Sequence, residues 1–301
     1  EDEARPAHKT YPRRWSIDGE VFKPFTPKDP DFYTTDAFTD NALGYLDEYK
    51  DDENPFLLYL AYTAPHYPLH ARPEWIEKYR GKYMKGWDAL REERYARMVE
   101  MGLIDEKWAL SPLHEDVPAW DKLSKEAQAD WDLRMAVYAA MIDRMDWNIG
   151  RVIEKLEAQN KLDNTLILFL SDNGGCAEHV TNASTGVAAG PLNSYEAVQL
   201  LWANAQNTPF RKFKRYDHEG GISTPLIAHW PKTIHAGTMT DAPGHIIDIM
   251  ATVLELGKAT YPTEMKGDNV EPLEGKSLVP VLKGGTREGH EAIYWQFGGS
   301  D

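Results

Sequence analysis

The stretch NTLILFLSDNGG, residues 164–175, decides how the chain is read. Its apolar run, 166–170, stops abruptly at Ser-Asp-Asn-Gly-Gly. A short continuous apolar run closed by turn residues is the pattern of a strand covered on both faces. In open α/β sheets, ligands lie beyond the carboxyl ends of such strands. Asp172 and Asn173 stand at that place. Both offer oxygen donors, which suit a hard cation such as Ca²⁺ or Mg²⁺. The two glycines allow backbone to approach without a Cβ clash. Asp-Asn-Gly-Gly is equally good hairpin-turn chemistry, although the following CAEHVTNAST does not alternate like a returning strand. From these residues alone, metal ligation and a plain turn both stay open.

Outward from this stretch, strand and helix signals alternate. A helix is expected over 35–49, capped by Thr34 or Thr35. A buried strand is expected over 56–62, leaving through Ala64-Pro65-His66 as a loop. Residues 73–103 carry helical patterns, and 102–120 read as a loop with two prolines. A long helix is expected from 125 to 159 with Ser124 as cap. Its apolar face would be Met135, Tyr138, Met141, Ile142, Met145, Ile149 and Ile153. The strand 165–170 follows, then a long small-residue loop from 176 to 198, of a length more often functional than idle. A strand over 222–230 and a helix over 246–256 complete the core. Residues 1–30 read as an irregular entry segment, 31–290 as the α/β core. This alternation, with near-continuous apolar strands, predicts an α/β fold with a largely parallel, covered sheet.

The chain has 301 residues, enough for one large or two modest domains. Its opening, EDEARPAHKTYPRRW, has no apolar leader and reads like the interior of a longer protein. No apolar run reaches the roughly 18 residues a membrane span needs. The net charge of −15 argues against a nucleic-acid partner, because phosphate binding needs clustered Lys and Arg. An anionic small substrate stays open if a few basic groups share one cleft. The single cysteine, Cys176, excludes an intrachain disulfide.

Two basic groups qualify. His66, in TAPHYPLH, follows the 56–62 segment and is flanked by prolines that restrict the backbone. It could donate to an anion or protonate a leaving group, or it is a satisfied loop histidine. His70 has the same two readings. Lys214, in FRKFKRYDHEGGISTP, precedes the Gly220-Gly221 turn and could clamp an anionic oxygen. Its alternatives are a solvated basic face and Lys212 in its place. Trp75, Trp87, Trp120 and Tyr195 could stack on sugar or aryl rings, or serve as packing.

The order of these motifs resembles the sulfatase family, arylsulfatase type, of the alkaline-phosphatase-like superfamily. PFLLYLAYTAPHYPLHA comes first, then SDNGG, then a Lys five residues before EGGISTPLIAHWP. YTTDAFTDNALGYLDEY, GWDALREERYARMVEMGLI and YAAMIDRMDWNIGRVIEKLE are also similar to that family's segments. The resemblance implies an α/β sandwich with a largely parallel or mixed central sheet flanked by helices, incomplete at both ends, with 291–301 starting a C-terminal subdomain. It implies metal-dependent hydrolysis of a sulfate ester to alcohol and sulfate. Asp172 and Asn173 would be half of a metal site, for Ca²⁺ rather than Mg²⁺. His66 would contact the sulfate ester and Lys214 a sulfate oxygen. The family's nucleophile is a formylglycine made within a Cys-x-Pro-x-Arg type motif, and no such motif occurs here. Cys176 lies in CAEHV and reads as an ordinary small residue near the site. The chain alone is therefore expected to be inactive.

The implied partner is a sulfated small molecule or glycan. Exposed sheet edges would favour self-association or pairing with the missing N-terminal segment. The resemblance implies a periplasmic or secreted bacterial protein, or a lysosomal animal one. Two other readings are a phosphodiesterase or phosphonate hydrolase of the same superfamily and a non-catalytic truncated product or subunit. The first would want an Asp-His pair after Gly221, where STPLI stands.

Overall fold

The computed structural model describes residues 15–22, 29, 31–179 and 186–297. The opening residues 1–14 and part of the 176–198 loop lie outside these, so the expectations made there are not addressed. The chain divides into two compact units. The first comprises residues 1–48, 58–153 and 173–223; the second comprises 49–57, 154–172 and 224–301. No helix among the described residues is long and apolar enough to cross a membrane.

The first unit opens with a hairpin, β1 (Trp15–Ile17) and β2 (Glu20–Phe22), where an irregular segment is expected. Its turn, Asp18-Gly19, takes positive φ at both positions. An Asp-Gly pair between two short apolar runs carries that signal. Helix α1 (Thr34–Glu48) follows, close to the expected bounds. Then come α2 (Pro73–Glu77), with proline in its first turn, and α3 (Gly86–Glu100). The long α4 (Lys125–Ala158) agrees with expectation to one residue. Ser124 caps it, its Oγ accepting from the Ala127 amide at 3.2 Å. A short α5 (Gln199–Gln206) and the single-turn α6 (Glu219–Ile222) close the unit.

The core of this unit packs on α4. Met135, Ala136, Val137, Ala140 and Met141 are buried, while Ile142, expected on that face, is exposed. Trp87 meets Trp120 and Trp202 edge-on, with ring centroids 4.7 and 5.4 Å apart. Each indole N–H of this trio finds a backbone carbonyl, of Pro118, Met84 and Trp131 respectively. Tyr195 is buried as well, and Trp75 packs on Tyr33 and under the Arg144 guanidinium. These aromatic residues are packing residues. Arg144 also grips the Asp36 carboxylate with two bonds of 2.8 and 2.7 Å, tying α1 to α4.

The second unit contains β3 (Ile167–Leu170) and β4 (Leu226–His229), paired antiparallel with Leu170 opposite Leu226. The chain therefore leaves β3 and re-enters β4 at the same end of the ladder. The expected dry strand is overturned, because Phe169, Leu226 and Ile227 are exposed. Among the described residues the ladder has two strands only, and three of the four β3 residues are half-buried rather than dry. The segment 56–62 forms no strand. It finds no ladder partner among the described residues, and Leu57 and Tyr59 are exposed.

Helix α7 (Ile247–Gly257), a hairpin of β5 (Glu264–Met265) and β6 (Asp268–Asn269), and α8 (Val279–Leu282) complete the second unit. Asp248, in the first turn of α7, is fully buried and accepts from Arg287 Nη2 at 2.8 Å, from His290 Nε2 at 2.7 Å and from the amides of His245 and Lys276. Burial pushes its carboxyl up, but Arg287, those amides and His290 together pull it down to about 2.

Candidate active site

Two glycine pairs make the site possible. A Cβ on Gly174 would stand 1.7 Å from the Gly220 carbonyl oxygen, and one on Gly220 would stand 2.2 Å from the Lys212 carbonyl oxygen. Only glycine allows these backbones so close. Their apposition is held by Gly174 N–H to the Gly221 carbonyl at 3.0 Å and Lys214 N–H to the Gly175 carbonyl at 3.0 Å. Asn207 adds a side-chain bridge, its Oδ1 accepting from Gly175 N–H at 2.8 Å and its Nδ2 donating to the Lys212 carbonyl at 3.0 Å. Gly174, Gly175 and the Lys214 loop are thereby tied together within the first unit.

His66 and Lys214 meet there. Their Nε2 and Nζ atoms are 3.3 Å apart across 148 residues of sequence. The His66 ring nitrogen Nδ1 lies 2.8 Å from the Tyr67 carbonyl, an acceptor, so Nδ1 carries the proton and Nε2 the lone pair facing the Lys214 ammonium. The turn is pinned by His66 N–H to the Thr63 carbonyl at 3.0 Å, and the peptide bonds before Pro65 and Pro68 are both cis.

Sequence reasoning missed Tyr67 and Glu178. Tyr67 donates its hydroxyl to Glu178 Oε2 at 2.6 Å, and Glu178 Oε1 lies 3.8 Å from Lys214 Nζ. The Tyr67 hydroxyl, Lys214 and His66 hold the Glu178 carboxyl below its usual range. Burial, then the bond to Glu178, pushes the Tyr67 phenol up. Burial likewise raises the Cys176 thiol. Perturbed groups gathered at one place mark functional sites. Glu178 sits in CAEHV and Tyr67 in PHYP, each within two residues of a group singled out from sequence.

The alternatives lie apart from this pair. His70 is buried, with Nε2 2.9 Å from the Ser194 carbonyl. Lys212 turns to His114, Nζ to Nε2 at 3.4 Å, and lies over the Tyr216 ring. Asn173 begins the site-bearing segment of the first unit and is partly exposed. Asp172 ends the preceding segment of the second unit. Its exposed carboxylate meets no hydrogen-bond or ion-pair partner among the described residues.

The sulfatase family model matches residues 4–259. An uncharacterised sulfatase of Schizosaccharomyces pombe is 35% identical over 263 residues, covering 82% of this chain and 47% of that protein. An arylsulfatase of Klebsiella aerogenes is 30% identical over 265 residues, covering 83% of this chain and 56% of that one. The chain thus spans about half the length of the curated relatives it matches. A solved structure of BT4656 with its substrate D-glucosamine-2-N,6-O-disulfate superposes with a TM-score of 0.51, at 22% identity, covering 88% of this chain and 54% of that one. The fold is that of the alkaline-phosphatase-like sulfatases.

Proposed function

This chain belongs to the sulfatase family, and from that premise we propose that it carries the sulfate-binding half of a sulfuric ester hydrolase. The single observation behind the reading is the 3.3 Å approach of His66 Nε2 and Lys214 Nζ. A sulfate ester is an anion, and its hydrolysis requires charge relief on the non-bridging oxygens and a stabilised leaving oxygen. Lys214 supplies a fixed positive charge for a sulfate oxygen. His66, oriented by the Tyr67 carbonyl, hands a proton to the leaving oxygen from Nε2 once that nitrogen is protonated. Glu178 faces the Lys214 ammonium, with Oε1 3.8 Å from Nζ.

Asp172 and Asn173 fit a divalent cation by donor chemistry: a carboxylate with no partner among the described residues, and one amide oxygen. Oxygen donors at a strand end suit Ca²⁺, whose coordination adapts to irregular sites, better than Mg²⁺, which demands near-ideal octahedral geometry. Two donors are a fraction of the six to eight oxygens Ca²⁺ takes, so further ligands come from outside this pair. When bound, the ion would neutralise charge on the sulfate group. The nucleophile in this reading is a formylglycine from a Cys-x-Pro-x-Arg motif that these 301 residues do not contain. The substrate class is an aryl sulfate or a sulfated sugar. A relative named arylsulfatase and a similar fold bound to a disulfated glucosamine support that choice.

The test compares this chain with a longer protein that contains it and a Cys-x-Pro-x-Arg motif, using 4-nitrophenyl sulfate and its phosphonate and phosphate analogues with Ca²⁺. The longer protein should prefer sulfate and the chain alone should be inert. Lys214→Met and His66→Gln should each lower kcat/KM by about 10²–10³ at unchanged melting temperature. Robust hydrolysis by the chain alone, or wild-type kinetics in both variants, overturns the reading.

A further inference from the structure

We propose that His66, Cys176 and Glu178 form a binding site for a thiophilic divalent cation, with zinc as the matching ion. The functional consequence, that an ion there excludes the sulfate ester, rests on the reading above; the metal site itself does not. Among the described residues, these three are the one group of His, Cys, Asp or Glu side chains whose ligand atoms all lie within 4.8 Å of one another. Tetrahedral zinc with usual bond lengths places its donor atoms about 3.5 Å apart. Side-chain adjustments of roughly 1 Å close the difference. Imidazole, thiolate and carboxylate are zinc's own donor types, while a sulfur ligand disfavours the oxygen-seeking Ca²⁺. The site is thus chemically separate from the Asp172-Asn173 pair.

One residue orients two of the three ligands. The Tyr67 carbonyl accepts the hydrogen bond of His66 Nδ1–H, which leaves Nε2 as a lone-pair donor. The Tyr67 hydroxyl holds Glu178 Oε2, which leaves Oε1 available. Such outer bonds to carbonyl and carboxylate are what set up metal-binding side chains. Cys176 is half-buried beside them, and its thiol proton passes to solvent as the thiolate binds the ion. A cation already sits against this pocket: Lys214 Nζ lies 3.3 Å from His66 Nε2 and 3.8 Å from Glu178 Oε1. Zinc must displace that ammonium, so the lysine and the metal compete for the same two ligands.

The experiment titrates the 301-residue chain with Co²⁺ as a spectroscopic probe, then with Zn²⁺. The expected result is one Co²⁺ per chain with a thiolate-to-cobalt charge-transfer band that Zn²⁺ abolishes. Cys176→Ser and Glu178→Gln should each weaken Zn²⁺ by at least about tenfold. Lys214→Met should tighten it, a result that a merely structural cluster would not produce. In the unaltered chain Zn²⁺, but not Ca²⁺, should slow alkylation of Cys176, which covers the case of a variant that fails to fold. Absence of the band together with unprotected Cys176, or Zn²⁺ affinity indifferent to both ligand variants, overturns the site. In the longer hydrolase, stoichiometric zinc should inhibit. Zinc bound with hydrolysis intact overturns the substrate roles of His66 and Lys214 and leaves the metal site standing.

Discussion

Gly174→Ala is the sharpest probe of the architecture. The new methyl would lie 1.7 Å from the Gly220 carbonyl oxygen, against a floor of 3.0 Å for real Cβ contacts, so the two loops must part by at least the difference, 1.3 Å. The obstacle is backbone, which has no rotamer to retreat into. Parting strains the bonds Gly174 N–H to Gly221 and Lys214 N–H to Gly175, both 3.0 Å long. At about 1 kcal/mol net each, roughly 2 kcal/mol of stability is lost. Lys214 moves with its loop, away from His66. A misplacement on the order of 1 Å costs about 10²-fold in rate. The variant of the longer protein should therefore melt earlier and lose about 10²-fold in kcat/KM, while Gly150→Ala, within α4 and with nothing within 4 Å of the added Cβ, should not. If Gly174→Ala keeps kcat/KM within about threefold and its stability within about 0.5 kcal/mol, the loops are not the rigid clamp argued for.

Two further outcomes concern charge. Asp248 falls from its ordinary 3.8 to about 2, so its contribution is present at pH above 3.8 and is lost as pH drops through about 2. That shift corresponds to about 2–3 kcal/mol, and Asp248→Asn should raise the amide exchange rates of His245 and Lys276 by about 10²-fold; unchanged protection would refute the account. Tyr67→Phe removes the largest cause of the depressed Glu178 carboxyl, so that pKa should rise towards its ordinary value in a carboxyl NMR titration, and the stability lost on acidification should shrink. A Glu178 pKa that stays put would show that Lys214, not Tyr67, controls it.

Much of this protein is local, and most of what is local was legible in order along the chain. The cap at Ser124 and the periodicity behind it define α4 because helix energetics act over three or four residues. The Asp18-Gly19 hairpin is local too, yet 1–30 read as irregular, because strands of three residues are too short to display an alternating pattern. Family membership also follows from sequence, since APHYP, SDNGG and the Lys before EGG keep their order. Burial was not legible: the apolar runs 56–62 and 166–170 signal strands, yet a strand's partners and cover come from residues far away. The same holds for the site. His66 and Lys214 could each be suspected singly, but only the folded chain sets them 3.3 Å apart. Glu178 and Asn207 carry no motif, and Tyr67 occupies the unspecified position of Ala-Pro-His-x-Pro; their roles arise from hydrogen bonds spanning 111 residues in one case and 32 in another. Such contacts depend on where tertiary packing delivers a side chain, and one-dimensional spacing holds no record of that.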